Sequence, residues 1–219
     1  RMSIEKELFD LKNELVKMAT FVENNIRDTY RGLKEKDLTL LKQVAMNDKK
    51  TDDLEKEIED RALRILVTLS PRAGDFRVVT SVLKMITDLE RIGDQTEDIA
   101  EICEDINFES IDSPLPLLKE MFETVEKMLN NSMDAFVSGN IDLIEGIDIM
   151  DDVVDDLFIK LRHKIVDKIK QGSDPEVQLD LMQIGKYVER IGDHAENIAE
   201  WVIYEHTGTH PYLKKDDEQ

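Results

Sequence analysis

The chain has 219 residues, with 29 Lys and Arg against 49 Asp and Glu, a formal net charge of −20. A surface this acidic repels nucleic acid and anionic lipid and excludes direct binding of either. One cysteine precludes an intrachain disulfide, no apolar run approaches the roughly 18 residues of a membrane span, and no secretory leader is visible, so the chain reads as a cytoplasmic protein that meets a membrane only through partners.

With 36% charged and 5% aromatic residues, the composition favours long helices over sheets. Ile4, Leu8, Leu11, Leu15, Met18, Val22, Ile26 and Leu33 recur mostly at three- and four-residue steps and predict a first helix ending near Lys36. Asp37 is placed to cap a second helix, running through Leu41, Val44, Leu54, Ile58 and Leu69. Ser70 to Asp75, with Pro71 and Gly74, breaks it, and a third helix runs from about Phe76 to Asn107. Residues 109–116 hold two Ser and two Pro and read as a linker. A fourth helix follows through Leu117, Met121, Val125, Leu129 and Phe136, and Ser138-Gly139-Asn140 ends it. The fifth carries Ile144, Ile147, Val154, Leu157, Leu161 and Ile165. Gln171 to Pro175 then supplies a stop, a cap and an N1 proline, and the sixth reaches about His206. The sequence therefore predicts an all-α fold of two tandem antiparallel three-helix bundles, each burying its own apolar stripes. Residues 1–108 form the first repeat, 109–116 the linker, 117–206 the second repeat and 207–219 a polar tail.

The repeat rests on Glu90-Arg91-Ile92-Gly93-Asp94, which returns as Glu189-Arg190-Ile191-Gly192-Asp193. Of the twelve positions from Glu90 to Glu101, nine recur unchanged 189 − 90 = 99 residues later. On a helical wheel Glu90, Asp94, Glu97, Asp98, Glu101 and Asp105 share one arc, and Leu89, Ile92, Ile99 and Cys103 share another. Gly93 and Ala100 lie at the border, where small residues admit a neighbouring helix. Taken alone an acidic stripe is a solvated face. Repeated beside a glycine, it argues for a cation that relieves the repulsion of stacked carboxylates.

A second acidic row supports this. Aligning Asp52-Asp53-Leu54 with Asp155-Asp156-Leu157 pairs Asp48 with Asp151. Asp48 and Asp52 on helix two would then face Glu90, Asp94 and Asp98 on helix three. Asp151 and Asp155 would face Glu189 and Asp193, with Asn197 in the place of Asp98. All-oxygen ligands of this kind suit Fe, Mn, Mg or Zn. None of the four histidines follows a glutamate by three residues, so the Glu-x-x-His pairs of di-metal oxidases are absent, and the chain is read as no enzyme. Cys103 is expected to be a buried structural thiol, His194 a surface residue and Arg91 and Arg190 ion-pair partners. Trp201 and Tyr204 are expected in the core or an interface.

Asp88 to Asp94 and Tyr187 to Ala199 resemble the repeated motif of the PhoU family. Pro71, Ala73 and Asp75-Phe76-Arg77 resemble its Gln-Pro-x-Ala-x-Asp-Leu-Arg turn, with Ser70 and Phe76 departing from it. The resemblance implies paired three-helix bundles whose acidic motifs bind divalent ions or multinuclear metal clusters, and commonly a homodimer. It also implies a negative regulator of the phosphate-starvation response and of phosphate uptake. Such a protein would link a PstB-like ATPase of the phosphate ABC transporter to a PhoR-like sensor histidine kinase. A carboxylate-bridged metal enzyme and a metal-free helical scaffold are the alternatives.

Overall fold

The computed structural model describes residues 4–111 and 115–209. Six helices carry the fold: α1 (Ile4–Glu35), α2 (Leu38–Thr68), α3 (Ala73–Asp105), α4 (Leu115–Ser138), α5 (Ile147–Lys170) and α6 (Pro175–Thr207). No strand occurs among the described residues, and none of their helices is long and apolar enough to cross a membrane.

Local chemistry sets the helix ends. Asp37 Oδ1 accepts from the backbone N–H of Thr39 and of Leu40, both at 3.0 Å, and so starts α2. Asp174 accepts from Glu176 N–H at 3.0 Å, with Pro175 opening α6. The chain differs from expectation where caps are not sequence-obvious. Helix α3 starts at Ala73, inside the predicted break, because the Asp75 carboxylate reaches back to the Arg72 N–H at 3.4 Å. Ile144 belongs to a short 3-10 turn, Ile141–Ile144, and α5 begins only after Gly146, whose φ of 75° favours glycine. A second 3-10 turn, Phe108–Ser110, lies in the predicted linker. Residues 112–114 of that linker and 210–219 of the predicted tail lie outside the described residues.

Within each repeat the middle helix packs on the other two. Across repeats α1 packs on α4 and α3 on α6, leaving α2 and α5 on the two flanks. The apolar stripes therefore do not close two separate cores. Leu15, Val22 and Ile26 of α1, Leu89 and Ile92 of α3, Val125 and Leu129 of α4 and Val188 and Ile191 of α6 are all fully buried in one continuous cluster. Cys103 belongs to it, and burial, then the nearby Asp180, pushes its thiol up to about 12, as expected of an inert structural cysteine. Trp201 and Tyr204 meet edge to face, ring centroids 5.7 Å apart.

Candidate metal centre

Each acidic row lies where a flank helix comes unusually close to its neighbour. A Cβ added to Gly93 would stand 2.9 Å from Thr51 Cγ2, and one on Gly192 would stand 3.0 Å from Asp151 Oδ1. A helix-interior glycine costs about 1 kcal/mol relative to alanine. Here the close approach of α2 to α3 and of α5 to α6 offsets it, as the repeated glycine suggests.

In the first repeat the structure brings Asp48 and Asp52 of α2 against Glu90 and Asp94 of α3. Burial, then Asp52 and Asp94, raises the Asp48 carboxyl, which is also in hydrogen-bonding contact with Glu97 and Asp94. Asp48 Oδ1 is buried and accepts from no donor. Glu90 is pushed up to about 7 by burial and by Asp94, against the pull of Arg91, with Glu55 and Asp52 adding to the rise. Glu97 is likewise pushed up to about 7 by burial, then by Asp48, Glu101 and Asp94. Arg91 sits outside the row, 2.9 Å from Asp94 and 3.4 Å from Glu90, the ion-pair role expected of it. Asp98 stands between the row and α6. Its carboxyl is raised by burial, Glu101 and Asp94, and lowered by the Tyr187 hydroxyl and the Arg190 charge, both on α6.

The second repeat gathers Asp151, Asp155, Glu189 and Asp193. Burial, then Glu196, Asp193, Asp155 and Glu189, pushes Asp151 up to about 7. Burial and Glu189 raise both Asp155 and Asp193, and Lys186 pulls both back. The lysine's Nζ lies 2.7 Å from Glu189 Oε1. His194 is no part of this row. Its Nδ1 lies 2.9 Å from Asp88 Oδ1 on α3, which also accepts from Asn197 Nδ2 at 3.3 Å. The change from Asp98 to Asn197, read from sequence as a difference between metal sites, thus belongs to the α3–α6 contact.

Sequence reasoning omitted Glu97 and Glu196 from the site, although both stand among the nine repeated positions and seven residues beyond Glu90 and Glu189. Glu55 and Lys186 left no repeat signal, since their counterparts are Phe158 (55 + 103) and Thr87 (186 − 99).

Carboxylate oxygens forced together and raised by burial are chemically suited to a hard cation, which neutralises what they cannot neutralise among themselves. The undonated Asp48 Oδ1 is a coordination site of that kind. Among the described residues, no three His, Cys, Asp or Glu side chains stand close enough as placed to hold a metal ion, so ligation requires them to turn inward.

Fold and rows define a class: a duplicated all-helical protein with one carboxylate seam per repeat. The PhoU domain family matches residues 15–103 and 118–202, and the chain belongs to it. Over 210 residues it is 36% identical to the phosphate-specific transport system accessory protein PhoU homolog 1 of Thermotoga maritima, an alignment spanning 93% of this chain and 89% of that one. It is 31% identical over 210 residues to the PhoU homolog of Clostridium acetobutylicum, covering 95% and 96%. The crystal structure of PhoU from Pseudomonas aeruginosa superposes with a TM-score of 0.88 at 31% identity, covering 94% of this chain and all of that one. These relatives are named as accessory proteins, not for a catalysed reaction.

Proposed function

We propose that this protein is a negative regulator of phosphate uptake and of the phosphate-starvation response. In this reading it is a cytoplasmic, homodimeric, metal-binding adaptor between the ATPase of the phosphate ABC transporter and a sensor histidine kinase. Family membership and the relatives' accessory role in phosphate transport support the regulatory part. The metal-binding part is carried by one observation: the same carboxylates face one another across two helices in both repeats, with Glu90, Glu97 and Asp151 each raised to about 7. Asp48, Asp52, Glu90, Asp94 and Glu97 would hold a divalent cation, Fe, Zn, Mn or Mg, in the first repeat. Asp151, Asp155, Glu189, Asp193 and Glu196 would hold it in the second. The cation supplies charge that locks α2 onto α3 and α5 onto α6. The chain's own acids select it through hard oxygen donors and repel one another without it.

Elemental analysis of gently purified protein, together with capture of the transporter ATPase and of the histidine kinase, tests both parts. The expected result is stoichiometric co-purifying metal, lowered in the first repeat alone by Glu90→Ala with Asp94→Ala, and specific retention of at least one partner. Metal lost equally from both repeats refutes independent centres. Protein that takes up no metal refutes the metal part, and failure to retain either partner refutes the adaptor part.

A further inference from the structure

The second carboxylate row already contains a cation of its own. Lys186 stands one turn before Glu189 on α6, and its Nζ donates to Oε1 at 2.7 Å and lies 2.5 Å from Oε2, which accepts no hydrogen bond, so the ammonium sits against the whole carboxylate. The same Nζ lies 5.5 Å from the centroid of the Phe158 ring on α5. A carboxylate on one side and an aromatic face on the other fix it in the row. In the first repeat the equivalent positions are Thr87 and Glu55. That row therefore has a hydroxyl where the second has an ammonium, and a further carboxylate where the second has a ring. The cations of that row are Arg91, hydrogen-bonded to Asp94 at 2.9 Å and paired with Glu90 at 3.4 Å, and Lys56, 3.6 Å from Asp52, and neither approaches a carboxylate as closely as Lys186 approaches Glu189.

We propose that Lys186 is a tethered counter-cation that lowers the affinity of the second centre for a hard divalent ion. This rests on the metal-binding reading above. For Glu189 to ligate an incoming ion, the ammonium must give up its hydrogen bond to Oε1 and withdraw from a like charge. At Glu90 the cation to be displaced is Arg91, paired with it at the longer distance of 3.4 Å. Lys186 is a positioning residue here: it touches the carboxylate, not the metal.

The test is Mn2+ titration of the metal-free full chain, with the free ion counted by electron paramagnetic resonance. Glu90→Ala with Asp94→Ala leaves the second centre alone to report, and Glu189→Ala with Asp193→Ala leaves the first. A partly exposed ion pair is worth about 1 kcal/mol, or about five- to tenfold in affinity. Lys186→Met is therefore expected to tighten Mn2+ by about that factor at the second centre and to change nothing at the first. Lys186→Arg retains the weak binding. Thr87→Lys, which installs the ammonium in the first row, weakens that centre by a similar factor and guards against a folding artefact in the other variants. Mn2+ binding at the second centre that ignores Lys186→Met, or at the first that ignores Thr87→Lys, overturns the lysine's role while leaving the metal reading intact. No Mn2+ binding by the parent or any variant overturns both.

Discussion

Glu23 in the first repeat and Glu126 in the second are equivalent positions, 126 − 23 = 103, and the fold sets them near each other where α1 crosses α4. A duplicated chain folded about a pseudo-two-fold axis brings residues near that axis up against their own counterparts. Like then meets like, which suits leucine and punishes glutamate. The repair lies in one repeat only. Arg27 donates from Nε to Glu126 at 2.9 Å and adds a short contact from Nη2, while its counterpart, Asn130, carries no charge. Glu126 is thereby paired. Glu23, with burial first against it and Asp134 and Glu126 adding to that, is pushed up to about 7 although Arg27 opposes the shift. The α3–α6 seam repeats the lesson. Asp88 meets Asn197 and His194; the symmetry-related contact is Tyr187 with Asp98. Had position 197 remained an aspartate, it would have faced Asp88. Cores survive duplication unchanged in kind, and polar seams must diverge.

The sharpest way to break the comparison is to ask whether the repeats unfold separately. Leu89 and its counterpart Val188 are both fully buried in the shared cluster. Leu89→Ala should cost about 2–5 kcal/mol, and Val188→Ala less by about one methylene, roughly 0.8 kcal/mol. In both variants calorimetry should record one cooperative transition moved downward. A second transition left at the parental temperature would mean that the halves are independent.

Next in size are the two motif glycines. Gly93→Ala drives its Cβ to 2.9 Å from Thr51 Cγ2, a fully buried, β-branched side chain held close to its own backbone. Overpacking outweighs the helix-propensity gain, and the net loss should be roughly 1–2 kcal/mol. Gly192→Ala meets only the Asp151 carboxylate at 3.0 Å, which can swing away, with Val125 and Val154 at ordinary contact. Its stability should stay level or rise by up to about 1 kcal/mol. Metal affinity at the second centre should fall, because Asp151 is the group displaced. Chemical denaturation and metal titration separate the two outcomes, and equal destabilisation of both variants would contradict the difference between Thr51 and Asp151.

Smaller again is the pH response of the α1–α4 seam. Glu23 titrates near 7 in the fold and at its ordinary 4.5 once unfolded. A carboxyl raised on folding binds more protons in the native state than in the unfolded one between those values. Its contribution is intact below about pH 4.5 and is lost as the pH rises through about 7. The charged or titratable groups around it are Arg27 on its own helix and Glu126 and Asp134 on α4. Glu23→Gln should therefore flatten part of the decline in melting temperature between pH 5 and pH 8. At pH 8 it should gain on the order of 1 kcal/mol over the parent, partial exposure having screened the rest. A decline as steep as the parent's would remove Glu23 as a cause.

These contrasts also mark what the sequence could and could not reveal. Helix periods, the Asp37 and Asp174 caps and the repeated glycine beside stacked acids are local signals, and each was legible. So were the helix pairs that carry Asp48, Asp52, Glu90, Asp94 and their second-repeat partners, because residue spacing fixes which side chains share a face. The closure of both repeats over one core was not legible, since an apolar stripe does not name the helix that covers it. For the same reason the approach of Asp98 to α6 was not legible. Its place on the arc fits either neighbour, and only the position of α6 gives it to Tyr187 and Arg190. Glu55 and Lys186 escaped because they lie outside what the two copies share.

The smallest expected effect concerns the pair of contacts that tie α3 to α6. Tyr187→Phe removes the hydroxyl that hydrogen-bonds Asp98, leaving Arg190 as that carboxylate's counter-charge, and should cost about 0.5–1.5 kcal/mol. Asp88→Asn keeps an oxygen for Asn197 but gives up the charge beside His194, and should fall at or below the lower end of that range. Asp88 and Asp98 are 98 − 88 = 10 residues apart on one helix, about 15 Å at 1.5 Å per residue, so the two changes share no partner and their effects should add. Additivity within about 0.5 kcal/mol in urea titrations is the expected outcome. A double variant much less stable than the sum would mean that the two contacts hold a common element, the register of α3 on α6, and that each can maintain it only while the other survives.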